Sequence, residues 1–359
     1  MTWLWLPLLM LAALWLWPPA FSKATNGRVE GWLSISRLEM WPLEEATLRV
    51  TVINRSWMPL PLVAIEIRLP EELSFRPDAP IRRGRAALAV LPRRQADVDF
   101  TVYGWRRGAV TSIQGHIALR EGLGLVEIFL PLQVRASLGV RPKRRRMARS
   151  LEASLEGAMV RESRLFPDET ALRGVRRYAY GDPVRHIHWR ATARLGTLMV
   201  KEFFSTEMPR WAVVLNAQSA RPHWMAAVDA ETFDALCEEA LAAAEWLTRR
   251  GEPVCFATNA ACGHRERSVI RWLNAQGVAS LLAHAKPIAT CDLGTLITAL
   301  ARSHRALDHW VILTPWDDPE AASRLDRLGI RAFWICPNSP SEGERREETE
   351  GTPHAATGR

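Results

Sequence analysis

The sequence predicts a multidomain α+β protein: an N-terminal membrane helix, an immunoglobulin-like β-sandwich and a Rossmann-like α/β domain. Three observations carry this. Residues 1–22 hold no charged side chain. Residues 28–140 alternate apolar and polar side chains with a period of two. From residue 209 onward, short apolar runs alternate with stretches of helical period, the pattern of a parallel sheet flanked by helices. At 359 residues the chain is long enough for two domains and further segments.

In the first segment, Trp3, Trp5, Trp15 and Trp17 bracket a run of Leu, Ala, Met and Pro, as interfacial tryptophans do. A helix from Trp3 to Trp17 rises only ~21 Å against a ~30 Å hydrocarbon core. It spans that core if Pro18 to Phe21 continue the apolar path. A signal peptide is the rival reading. No Lys or Arg forms a basic leader, however, and Ala20 to Ala24 does not match a cleavage box. Lys23, Arg28 and Arg37 follow the segment, so the positive-inside bias orients the rest towards the cytoplasm. The expectation is a single-pass cell-membrane protein with cytoplasmic domains.

Residues 28–140 form the predicted sandwich. Alternation is clear at Leu48-Val50-Val52, Ile65-Ile67 and Val98-Phe100-Val102. Turn signals recur at Asn54-Arg55-Ser56, Pro77-Asp78, Pro92-Arg93-Arg94 and Gly122-Leu123-Gly124. This spacing fits about seven or eight short strands in a packing module with no chemistry of its own.

A basic linker follows over 141–165. Arg141, Lys143, Arg144, Arg145, Arg146 and Arg149 crowd its start. Such a run is a solvated connection, a contact with anionic lipid worth about 1 kcal/mol per basic residue, or a nucleic-acid patch. No aromatic residue interleaves it, which argues against stacking on single strands. The net charge of +8 permits acidic partners and names none.

The segment 166–208 concentrates the polar chemistry. Gly181-Asp182-Pro183 reads as a turn entering a helix, with Asp182 as cap and Pro183 in the first turn. Arg185, His186, Ile187, His188, Trp189, Arg190 and Arg194 follow, and Gly196 ends the helix before an apolar strand. On a helix, His186 and His188 point about 200° apart and cannot share a ligand; in an extended chain they would share a face. His188 is read as a hydrogen-bonded structural position. Arg185, Arg190 and Arg194 are expected to pair with Asp182, with Glu202 or with a partner's acidic surface, because a guanidinium grips a carboxylate at two points.

The α/β domain is placed at 209–337. Strand Trp211–Leu215 leads to helix 229–250, whose Phe233, Leu236, Cys237, Ala240, Leu241, Ala244 and Leu247 fall on one face. Asp229 and Glu231 open that helix, Arg249 and Arg250 close it, and Gly251 ends it. Strand Val254–Thr258, helix Arg265–Ala275 ended by Gly277, and a helix through Leu293, Leu296, Ile297 and Leu300 come next. Strand Trp310–Thr314, a helix over 319–328 capped by Asp318-Pro319, and strand Ala332–Cys336 complete the domain. The polar tail 338–359 is predicted to be disordered. The five cysteines all lie in the C-terminal half without a Cys-x-x-Cys pair, which reads as buried reduced thiols. No Gly-x-Ser-x-Gly, phosphate-loop or His-Glu-x-x-His motif occurs, so no catalytic residue is assigned.

One resemblance stands on named residues. Arg176, Tyr178 or Tyr180, Gly181, Asp182, Arg185, Ile187, His188, Trp189, Arg190, Thr192, Ala193, Arg194, Gly196, Val200, Lys201, Glu202 and Phe203 follow a known order. The pattern is Arg-x-Tyr-x-x-Gly-Asp-x-x-Arg-x-Ile-(Asp or His)-Trp-(Lys or Arg)-x-(Ser or Thr)-Ala-Arg, then Gly and Val-(Lys or Arg)-Glu-Phe. Arg176 sits one residue off its spacing. In this the chain resembles the bacterial domain of unknown function 58 family. The resemblance implies an interaction signature at Tyr180, Gly181, Asp182, Arg185, His188, Trp189, Arg190, Arg194, Lys201 and Glu202. It further implies a von Willebrand factor A-like fold for the α/β domain and a MoxR-type AAA+ ATPase as partner in chaperone-like assembly. An A-type domain often holds Mg²⁺ through Asp-x-Ser-x-Ser after its first strand. Here that run is Asn216-Ala217-Gln218-Ser219-Ala220, which loses the carboxylate and both hydroxyls. Asn216 and Asp317 remain as residual candidates, Asp318 is explained as a helix cap, and no metal or cofactor is expected. The function read from this is a membrane-anchored, non-enzymatic interaction or adaptor protein. The alternatives are a metal-dependent A-type ligand-binding module and a nucleic-acid binder acting through the basic linker.

Overall fold

The computed structural model describes residues 5–121, 124–134, 138–162, 167–205, 210–219, 228–263, 267–304 and 307–336. The predicted disordered tail, 338–359, lies outside them. The chain divides into two units. Unit 1 is Met1–Lys143 with Cys262–His264 and Ala279–Lys286; unit 2 is Arg144–Ala261, Arg265–Val278 and Pro287–Arg359.

Unit 1 opens with helix α1 (Trp5–Thr25). Twelve strands follow: β1 (Val29–Ile35), β2 (Glu39–Met40), β3 (Glu45–Asn54), β4 (Leu60–Arg68), β5 (Leu73–Ser74) and β6 (Arg83–Val90), then β7 (Gln95–Gly104), β8 (Gly108–Val110), β9 (Gln114–Arg120), β10 (Glu127–Pro131), β11 (Gln133–Val134) and β12 (Leu138–Val140). They form a five-stranded sheet, β11-β1-β3-β7-β5, a four-stranded sheet, β10-β9-β4-β6, and a small sheet, β2-β12-β8. The period-two pattern sets which side chains meet. Leu48, Val50 and Val52 of β3 share one buried cluster with Ile65 and Ile67 of β4, Ile117 of β9 and Leu33 of β1. Asn54 makes the predicted turn: its Oδ1 accepts from the Ser56 amide at 3.0 Å, and its Nδ2 donates to the Met58 carbonyl at 2.8 Å. The fit to an immunoglobulin-like sandwich is loose. A third sheet is present, and β1–β11 and β2–β12 pair in parallel.

The N-terminal membrane helix is not borne out. No described helix is long and apolar enough to cross a membrane. The reason lies in the second half of α1. Pro18 and Pro19 fall inside it and remove two backbone donors. Beyond them Phe21 and Ala24 are buried in the sheet core of unit 1. The stretch before the prolines, residues 5–17, rises only about 20 Å. The orientation argument from Lys23, Arg28 and Arg37 loses its basis with the span.

Unit 2, to which all residues of the elements below belong except Cys262, Ala279–Ala283, Ala285 and Lys286, starts with α2 (Arg149–Glu162), the hairpin strands β13 (Pro167–Arg177) and β14 (Met199–Ser205), and between them α3 (Trp189–Leu195). The sheet that follows is built from β15 (Trp211–Leu215), α4 (Ala230–Arg249), β16 (Val254–Cys262), β17 (Arg267–Trp272), α5 (Ala275–Ala283), β18 (Ala285–Ala289), α6 (Leu293–Ser303), β19 (His309–Leu313), α7 (Pro319–Arg327) and β20 (Arg331–Ile335). Strand order is β17-β16-β15-β19-β20, with β18 also paired to β16. β15 is parallel to both β16 and β19, and β19 to β20. Every residue of β15 and β19 is buried, as expected of strands covered on both faces. α4 buries the predicted stripe, and its Asp229 cap accepts from the amides of Glu231 and Thr232. Asp318 likewise caps α7, accepting from the Ala321 amide at 3.0 Å.

One element differs in type. The predicted helix Arg265–Ala275 is strand β17, and α5 begins at Ala275. Val269, Ile270 and Trp272 prefer extended backbone beside β16. The residue expected to end a helix, Gly277, sits in the first turn of α5, where its N–H donates to Asn274 Oδ1 at 2.8 Å.

Candidate functional site

The signature folds as a hairpin with a helical insert. β13 and β14 run antiparallel, with Val175 opposite Lys201 and Arg177 opposite Met199. Between them the chain makes a turn at 178–183, a 3-10 turn at Val184–His186, and α3. The Tyr178 amide donates to the Leu198 carbonyl at 2.9 Å, and the His188 amide to the Met199 carbonyl at 2.8 Å. Ile187, buried, bridges to Val200. The insert is thus fastened to the strands at both ends.

Asp182 does not cap a helix. Its carboxylate accepts both terminal nitrogens of Arg176, at 2.6 and 2.7 Å, and the Ala179 amide at 2.8 Å. The Arg176 hydrogen bonds, then that of Ala179, hold its carboxyl below the usual range. The cap belongs instead to His188, whose Nδ1 accepts from the Ala191 amide at 3.0 Å and so starts α3 one residue later. Thr192 Oγ1 accepts from the Met199 amide at 3.0 Å. Gly196 ends α3 at φ +66°, a backbone region costly for any side chain.

The arginines sort differently from expectation. Asp182 is held by Arg176, which is not among the arginines expected to pair with it. Arg185 Nε donates to Nε2 of the buried His186 at 3.3 Å. Arg190, Arg194 and Lys201 are exposed and have no ion pair with a described residue. The Glu202 side chain, the other expected acceptor, lies outside the described residues. Around these cations stand exposed apolar groups: Tyr180 is fully exposed, Trp189 is 65% exposed, and Val184, Leu195 and Leu198 also face solvent. His186 and His188 hold separate jobs, and no group of three or more metal-ligating side chains occurs among the described residues.

Asn216 occupies the position where the resemblance would place a metal carboxylate, at the end of β15. It is buried and engaged on both sides. Its Nδ2 donates to Thr314 Oγ1 at 3.1 Å, while its Oδ1 accepts from the Gln218 amide at 3.0 Å and from Asn259 Nδ2 at 2.8 Å. Asn259 Oδ1 in turn accepts from the Ala217 amide at 2.7 Å. The ends of β15, β16 and β19 are therefore tied by neutral amides and a hydroxyl. A carboxylate at Asn216 would lack the donor that Thr314 receives. Asp317 lies between β19 and α7, and Asp318 is the α7 cap.

The linker cations are partly engaged within unit 2. Arg144 pairs with Glu245 at 3.1 Å and Arg145 with Glu239 at 3.7 Å, both glutamates on α4. Arg141, in unit 1, pairs with Glu39 at 2.6 Å. The cysteines are free thiols, and burial pushes Cys255 up to about 11 and Cys262 to about 12, away from reactivity at neutral pH.

Residues 174–250 match the family model Protein of unknown function DUF58. The chain is similar to that family over this stretch, which begins in β13 and runs through α4. No curated protein matches the chain. Among solved structures, the CARDB domain of the PF1109 protein from Pyrococcus furiosus is 11% identical, covering 31% of this chain and 93% of its own, with a TM-score of 0.22. The alkylpurine DNA glycosylase AlkC of Pseudomonas fluorescens is 14% identical over 30% of each chain, and the β-glucosidase EmGH1 of Erythrobacter marinus is 14% identical over 29% of this chain and 15% of its own, each with a TM-score of 0.19. Scores this low carry no argument.

Proposed function

We propose that this chain is a non-enzymatic interaction or adaptor protein and that the hairpin insert is its docking surface. The observation that carries this is the division of labour within the signature. Arg176, Asp182, His188, Thr192 and Gly196 fasten the hairpin. Tyr180, Trp189, Arg190, Arg194 and Lys201 fasten nothing among the described residues and face solvent. Exposed Trp, Tyr and Arg are the side chains that anchor protein interfaces, because they bury much area and bind carboxylates at two points. The partner is accordingly an acidic protein surface. The family resemblance names a MoxR-type AAA+ ATPase, with this chain supplying recognition in an assembly reaction and the ATPase the energy. The same resemblance favours a von Willebrand factor A-like description of the parallel-sheet unit, in which the Asn216 network takes the place of a metal.

The test is capture of the purified ATPase of the same source by the immobilised chain. Wild type should retain it, and Trp189→Ala combined with Arg190→Glu should lose retention while keeping its melting temperature. Equal retention by both proteins, or none by wild type, would sink the reading.

A further inference from the structure

We propose that the outer face of the four-stranded sheet in unit 1 holds a phosphate-binding hollow built on Arg68 and Arg83. These two residues lie directly opposite each other on β4 and β6. Like charges in that register repel and destabilise a strand pair unless something neutralises them. Neither arginine side chain has a hydrogen bond or ion pair with a described residue.

The nearby carboxylates are already engaged. Glu66 pairs with Arg85 at 2.8 Å and lies 3.4 Å from His116. Glu71 serves Arg82 at 3.4 Å and Arg106 at 3.8 Å. Arg82, whose guanidinium donates to Glu71, lines the second of two hollows here. Two adjoining hollows, of about 450 and 420 Å³, share Arg68 and Gln114 as lining. The first is also lined by Arg83, Arg85, His116 and the engaged Glu66, the second by Arg82, Ser112 and the engaged Glu71.

Unneutralised guanidiniums beside neutral donors are the chemistry that grips a phosphoryl group, whose several oxygens accept from two forks at once. The volume leaves room for an organic portion. The ligand class is therefore a phosphate ester, either a soluble one or a phospholipid headgroup. The competing account is that Arg83 and Arg85 only keep the edge strand β6 from pairing with other chains.

Calorimetry of the full chain separates the two. Inorganic phosphate should raise the melting temperature of wild type more than that of Arg68→Gln or Arg83→Gln, the rise over chloride common to all three being the general exclusion effect of the salt. In titration either variant should bind phosphate about tenfold more weakly. Arg68→Gln should melt higher than wild type in chloride, because one of two repelling charges is gone. Vesicles of phosphatidylglycerol in phosphatidylcholine form the second arm; the linker cations are identical in all proteins, so only the loss caused by Arg68→Gln counts. Loss there without a phosphate response assigns the headgroup; a phosphate response without it assigns the soluble ester. If phosphate raises the melting temperature of wild type and of the variants equally and vesicle binding is unchanged in Arg68→Gln, the proposal is overturned.

Discussion

Arg176 grips Asp182 across the base of the signature turn with both terminal guanidinium nitrogens, at 2.6 and 2.7 Å. Asp182 also accepts the Ala179 amide, so one carboxylate sets the turn and ties it to β13. Asp182→Ala should loosen this turn by about 1 kcal/mol, the scale of a partly exposed pair with one backbone bond. Amide exchange should speed up at Ala179 and Tyr178 while unit 1 stays unchanged. Because the Arg176 bonds depress the Asp182 carboxyl below 3.8, its contribution is complete above that pH and fades as pH falls through the depressed value. Exchange at Ala179 in wild type should approach that of the variant in strong acid.

The His188 ring caps α3, and an aspartate would do the same work. His188→Ala should cost about 1 kcal/mol of local helix stability, while His188→Asp should preserve it. Chemical shifts of Trp189 to Leu195 read the helix directly; equal losses in both variants would mean the ring matters for something other than its acceptor. The alternation of Asp and His at this position of the family pattern was the sequence signal for a cap. It was masked by Asp182-Pro183, which imitates a helix start and is preoccupied by Arg176.

Trp189 and Tyr180 are exposed, so Trp189→Ala and Tyr180→Ala should change the unfolding midpoint by no more than about 0.5 kcal/mol equivalent. Partner capture should weaken by tenfold or more, on the order of an interface anchor. A large stability loss would show these rings to be packing residues.

Asn216 serves three partners from a fully buried position. Asn216→Ala leaves Thr314, Asn259 and the Gln218 amide without their bonds and should destabilise unit 2 by about 2–4 kcal/mol in urea unfolding. Asn216→Asp should be no better, since the Thr314 contact loses its donor and a charge is buried.

Glu39 offers a pH test in unit 1. Burial raises its carboxyl, but hydrogen bonds from Ser280 and Arg141 outweigh burial and hold it below 4.5. Arg141 also stacks over Trp41, 5.0 Å from the ring centroid. A depressed carboxyl stabilises above 4.5 and gives that up as pH falls through its lower folded value. Exchange protection of β2 and β12 should therefore drop on acidification, and Glu39→Gln should flatten the dependence. An unchanged acid slope in the variant would remove Glu39 from the account.

Periodicity and caps by themselves determined the long strands β3, β4 and β7 of unit 1, the parallel strands β15, β16, β19 and β20, the buried stripe of α4 and the Asp229 and Asp318 caps, because each is a local relation between residues a few positions apart. The signature was legible as a cluster for the same reason. Competition for shared groups settled the rest. Phe21 and Ala24 turn the end of α1 into core, β16 draws residues 267–272 into an edge strand, and Arg176 takes Asp182 from the helix it seemed to cap. The opposition of Arg68 and Arg83 appears only once β4 and β6 are in register. Each of these depends on which of several groups binds a shared side chain or backbone edge most favourably, and that is a property of the packed chain.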